Sequence, residues 1–136
     1  MSYGVSAALQ QAVYQRLVAD TTLGGLVSGA IYDSAPPGIV SGTYVSLGPE
    51  DVRARSDMTT YGALHEFTIS VVTDAAGFQQ AKEVAVAISD ALVDASLVLA
   101  RGVLVSLNFH RARARRVEDD DMRRIDLVFR AQVQDN

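Results

Sequence analysis

The sequence has no cysteine and no tryptophan among its 136 residues, and holds only two histidines and one lysine, Lys82. Without cysteine there is no disulfide, no thiolate nucleophile and no cysteine-held metal, and the chain suits a reducing compartment such as the bacterial cytoplasm. No run of about 18 apolar residues occurs, so no membrane span is expected. Met1-Ser2-Tyr3-Gly4 lacks the basic and apolar regions of a secretion signal. His65 and His110 are not spaced as H-x-H or H-x-x-x-H, so they do not read as a metal site. No nucleophile elbow, phosphate-cradling glycine loop or metal motif is present. Gly24-Gly25 and Gly29 neither follow a buried strand nor open a helix at phosphate-loop spacing. The chain is therefore expected to be no enzyme and to need no cofactor.

What the sequence does have is ordinary globular material, 49% hydrophobic and 21% charged, enough for one domain over residues 1–136 with its own core. The net charge is −4, which argues against nucleic-acid binding through the overall field. The charge is unevenly placed, however. Seven of the eleven arginines fall between Arg111 and Arg130. Arginine pairs bidentately with carboxylates and suits protein interfaces better than lysine.

Hydrophobic periodicity divides the chain. Val5, Leu9, Val13 and Leu17 recur every four residues and predict a helix over Val5 to Asp20. Asp20-Thr21-Thr22 ends it and can cap a short turn through Leu26, which the glycines keep short. A short strand is expected over Ala30 to Asp33, a loop over Ser34 to Gly42, and a strand over Thr43 to Gly48. Pro49 to Thr60, with Arg53 and Arg55, is polar and reads as an edge strand fraying into a loop that orders on contact with a partner. Gly62 to Thr73 alternates cleanly, with His65, Phe67, Ile69 and Val71 on one face and Glu66, Thr68 and Ser70 on the other. Asp74 is placed to cap the next helix. There Phe78, Ala81, Ala85, Ile88 and Leu92 form the apolar stripe, and Val86 and Val93 stand on the polar side as a candidate contact spot. Leu97 to Leu99 reads as a short strand.

Two long strands close the chain, Leu104 to Val117 and Met122 to Val133, joined by Glu118-Asp119-Asp120-Asp121. A register with Arg113 opposite Asp126 sets Ala112 and Ala114 beside Leu127 and Ile125. It leaves Leu107 and Phe109 on the wrong face unless a bulge lies between Asn108 and Arg111. The expected fold class is α+β: a mixed, mainly antiparallel sheet with a long C-terminal hairpin, backed by two main helices. Two strands this long and this charged look like an arm offered to other subunits. The acidic turn has neither the length nor the glycine of a calcium loop. It reads either as a solvated hairpin tip or as an electrostatic contact with a neighbour. Arg111, Arg113, Arg115 and Arg116 suggest phosphate binding, but no aromatic residue interleaves with them to stack bases. Ion pairing across strands or subunits is the favoured reading, with a nucleic-acid-binding regulator as the rival.

The succession SAALQQAVYQRLVAD, GAIYDSAPPG, TYVSLG, HEFTISVVT, AAGFQQAKEVAVAISDAL, LVSLNFHRARARR and DLVFRAQV resembles small tail-completion proteins, the tail terminators, of tailed phages, prophages and phage-like gene transfer agents. The resemblance covers nearly the whole chain and rests on order and spacing, since no single motif is diagnostic. It implies a β-sheet backed by helices and a ring, usually six-fold, on the end of a finished tail tube. The tube protein and a neck or head–tail connector protein would be its partners, and no membrane is implied. DNA would pass through the ring without sequence-specific binding. Assembly would take place in the bacterial cytoplasm and end at the tail–neck junction. Under that resemblance Arg111, Arg113, Arg115, Arg116, Glu118 to Asp121, Val86, Val93, Arg53 and Arg55 are the candidate ring or tube contacts. A neck protein is the alternative role.

Overall fold

The computed structural model describes residues 3–34, 41–55, 62–117 and 121–135. Helix α1 (Ser6–Ala19) buries Ala8, Leu9, Val13 and Leu17, the stripe expected from their spacing. Asp20 then starts α2 (Thr21–Val27), its carboxylate accepting from the Leu23 N–H at 2.9 Å. Ser28 at φ 52° and Gly29 at φ 77° turn the chain out of the helix.

Strands β1 (Ile31–Tyr32), β2 (Thr43–Ala54) and β3 (Gly62–Thr73) precede α3 (Gln79–Leu92), and β4 (Val103–Val117) and β5 (Met122–Gln134) follow it. They form one five-stranded sheet in the order β1-β2-β3-β5-β4. Only β1 runs parallel to its neighbour. The helices cover one face. Leu9, Leu17, Leu23, Ile88 and Leu92 pack there with Val45, Phe67, Ile69, Val71, Leu107, Leu127 and Phe129 in one core. The Phe67 and Phe129 rings lie directly opposite in register with centroids 5.8 Å apart. The expected α+β class and the long C-terminal hairpin are thus present, with α2 as a third, short helix.

The edge strand expected from Pro49 is present and forms one element with the Thr43 to Gly48 strand as far as Ala54. A bulge lets it do so: Leu47 pairs with Ile69 and Glu50 with Phe67, so Gly48 and Pro49 together face Thr68, where the Pro49 nitrogen owes the ladder no hydrogen. Two other expectations are corrected. Asp74 does not cap α3. Its carboxylate accepts from the Gly42 N–H at 2.9 Å instead, tying the end of β3 to the start of β2, and Phe78 at the helix start offers no side-chain cap. Leu97 to Leu99 is not a strand; Leu97 and Leu99 pack on the core from an irregular segment. Expectations on residues 35–40, 56–60 and 118–120 lie outside the described residues.

Candidate functional site

The C-terminal hairpin bears the features the sequence singled out. Arg113 pairs with Asp126, Ala112 with Leu127 and Ala114 with Ile125, and a register shift falls between Phe109 and Arg111. This is the bulge the alternation required. His110 is the extra residue, and because of it Leu107 and Phe109 join Ala131 and Phe129 on the helix side while Arg111 and Arg113 keep to the other. Leu107 is 1% exposed, and the Phe109 ring meets Phe129 edge-on at 5.9 Å. A second shift, between Leu104 and Ser106, had no sequence signal beyond the strand's length.

Strand β4 is an edge strand, with β5 as its only neighbour among the described residues. Of its fifteen residues Leu107 alone is buried. The arginine run is not one patch. Arg111, Arg113 and Arg115 share the helix-free face, whereas Arg116 pairs with Arg123 on the helix side. Arg116 Nη2 lies 3.7 Å from Asp121 Oδ1, both well exposed, so solvent screens the contact. Arg123 turns to the helix layer, donating to the Ala75 carbonyl at 3.0 Å with its guanidinium 5.7 Å from the centre of the Phe78 ring.

On the helix-free face Asp126 is the central acid. It accepts from Ser70 Oγ at 2.6 Å and Arg124 Nε at 2.8 Å, with Arg115 at 3.8 Å. Burial works against its charge, but these bonds and the Arg124 and Arg115 charges prevail and hold its carboxyl below the ordinary value. Glu66 pairs with Arg130 at 3.1 Å; that hydrogen bond lowers it, helped by the nearby His110 and Arg53. Arg53 and Arg55 stand exposed at the far end of β2. Val86 and Val93 are 59% and 37% exposed on the outer side of α3, away from the hairpin face.

The sequence reasoning missed one site. The bulge at Gly48-Pro49 puts Glu50 on the helix side, near buried His65. Glu50 Oε2 bonds His65 Nδ1 at 3.0 Å, and Oε1 accepts from Tyr3 at 2.7 Å and Ser6 at 2.8 Å. Burial raises the carboxyl, but the hydrogen bonds from His65, Tyr3 and Ser6 outweigh it and hold Glu50 below the ordinary value. Among the described residues His65 Nε2 is buried without a hydrogen-bond partner. The arrangement clasps the chain ahead of α1 to the sheet. A proline-marked bulge beside a strand histidine was the available signal.

Among the described residues no cluster of three metal-binding side chains occurs, and no helix is long and apolar enough to cross a membrane. A sheet with one helix-covered face and a long exposed edge strand is a frame suited to assembly with other chains. Residues 11–134 match the family model for the tail completion protein gp17, and the chain belongs to that family. It is also similar to a chain in a solved structure described as the virion of a native gene transfer agent particle. There the identity is 65% over 98% of this chain and 99% of that one, with a TM-score of 0.91. No curated protein matches. The protein is a structural component of a phage-like tail.

Proposed function

We propose that the protein caps the completed tail tube and joins it to the neck of a phage-like particle, acting as a ring of copies through which DNA passes. The observation that carries this reading is β4, fifteen residues long and exposed along almost its whole length, at the edge of a sheet whose other face is already filled. An unpaired edge is a template for another chain. A ring needs one patch to meet a different patch on the next copy, with a rotation that closes. The outer edge of β4, the Arg116–Asp121 end of the hairpin and the Val86–Val93 spot lie on different parts of the molecule and serve as such patches. Capping works by geometry: the ring seats on the last tube ring and offers no surface for another. The Glu118 to Asp121 turn is assigned to the same contacts.

Deleting the gene and measuring tails by negative-stain electron microscopy tests the reading. Overlong or headless tails are expected. Tails of normal length without heads would move the protein to the neck, and normal particles would refute both positions.

A further inference from the structure

Strand alternation collects the arginines on one side of the sheet. Arg53 pairs with Leu64, Arg111 with Val128, Arg113 with Asp126, Arg115 with Arg124, and Arg130 with Glu66, all on the helix-free face. Arg55, whose N–H bonds the Gly62 carbonyl at 2.7 Å, continues the β2 alternation onto the same face. Seven arginines therefore stand there against three carboxylates, Asp51, Glu66 and Asp126, among the described residues. That is an excess of four positive charges among the described residues of one face, in a chain whose net charge is −4.

The three acids are engaged or outnumbered. Glu66 is held by Arg130, and Asp126 by Arg124 and Arg115. Arg53, Arg55, Arg111 and Arg113 are exposed and make no ion pair among the described residues. They sit at two opposite corners of the four-strand face. With about 3.3 Å per residue along a strand and about 4.8 Å between strands, Arg53 and Arg111 stand roughly 20 Å apart across the diagonal. This is an extended basic strip and not a pocket for one carboxylate.

What covers such a strip follows from what the face lacks. A protein interface needs an apolar centre from which charge is depleted. Here the central apolar residues, Val72 and Val128, are already 5% and 4% exposed and lie outside the helix-side core. Of the exposed large apolar residues, Phe109, Val86, Val93 and Val98 are elsewhere, and Val103, opposite Gln134, stands at the margin of this face at the far end of β4 from Arg111 and Arg113, not at its centre. A sugar-phosphate backbone asks for no apolar centre, only spaced cations and water. Among the described residues no exposed aromatic side chain stands between these arginines, which disfavours stacking on single strands. Self-pairing of two such faces would set arginine against arginine.

We infer that the helix-free sheet face, through Arg53, Arg55, Arg111 and Arg113, contacts the phosphate backbone of double-stranded DNA without reading its sequence. The contact uses the face of the sheet, and so leaves the β4 edge free for protein neighbours. It stands whether or not the protein caps a tube.

The test is fluorescence-anisotropy titration of a mixed-sequence duplex with the purified full-length protein, from about 50 mM salt upward. Binding is expected to be independent of sequence and to weaken with salt at a log–log slope near −4, about −0.9 for each phosphate neutralised. Arg53→Gln with Arg55→Gln, and separately Arg111→Gln with Arg113→Gln, should each reduce the slope by about two. Lys82→Gln, on the outer side of α3, should leave it unchanged. No binding at the lowest salt would overturn the inference, as would a slope that neither arginine pair alters. Sedimentation of the same variants without DNA supplies the other arm: arginine pairs that abolish self-association while leaving duplex binding intact would make the face a protein interface and refute the assignment.

Discussion

Single residues decide how firmly the start of the chain is held. Glu50 is the common acceptor for Tyr3, Ser6 and His65. Removing it strands a buried imidazole donor and frees the segment ahead of α1. Glu50→Ala is expected to lower unfolding free energy by about 2 kcal/mol, read from urea denaturation at neutral pH. The pH dependence has a definite sign. Glu50 and Asp126 both titrate lower in the folded protein than in the open chain. Their stabilisation is present above ordinary carboxylate values and is lost as pH falls through the lowered ones. Glu50→Gln should flatten the acid limb of a stability–pH curve; an unchanged limb would show that the carboxylate is not stabilising. Gly102, at φ +76°, combines a left-handed backbone with close neighbours: a Cβ there would stand 2.6 Å from the Gln134 carbonyl oxygen and 2.8 Å from a Val5 methyl. Gly102→Ala should cost more than about 1 kcal/mol through strain and clash together, seen as a lowered thermal midpoint.

At the scale of the elements, the hairpin shows what sequence reading can and cannot reach. The need for a bulge near His110 was legible because Leu107, Phe109, Ala112 and Ala114 cannot share a face under strict alternation. Deleting His110 should therefore force a choice between burying arginines and exposing Leu107 and Phe109. A loss of about 2 kcal/mol or more in urea-derived stability is expected. At Gly48-Pro49 the proline marked an edge strand, but nothing local says that a single strand bulges through it and resumes pairing with β3 at Glu50. Asp74 misled for a related reason. An aspartate before a helix is a good cap in isolation, but here the Gly42 N–H, brought up by the sheet, competes for it. The arginine run read as one patch although alternation along a strand already sends Arg115 and Arg116 to opposite faces. What linear spacing does not show is that Arg53 and Arg55, far off in sequence, join Arg111 and Arg113; that is a property of strand order.

For the whole molecule, assembly and folding draw on different surfaces. Val86 is 59% exposed and contributes little to the core. Val86→Asp should leave the thermal midpoint of the isolated protein within a few degrees while lowering the yield of particles with capped tails, scored by electron microscopy. A large loss of stability would show the valine to be structural; normal tails would remove the α3 spot from the interface.

The two margins of the sheet differ greatly, and this bears on how the protein avoids aggregation before assembly. One margin is the fifteen-residue β4; the other is the two-residue β1 and, beyond it, the bared stretch of β2 after Ser46. Open-ended stacking of sheets into fibrils requires margins that match. Here the bared stretch is broken by a bulge, carries a proline that cannot donate, and ends in Arg53 and Arg55, which would meet the arginines of β4. Pro49→Val, which restores a backbone donor to that margin, should raise thioflavin-positive aggregate on prolonged incubation, and an unchanged signal would show that the mismatch in length alone is protective. The long strand left bare for assembly is thus kept from indiscriminate self-association by the shortness and irregularity of the margin opposite it.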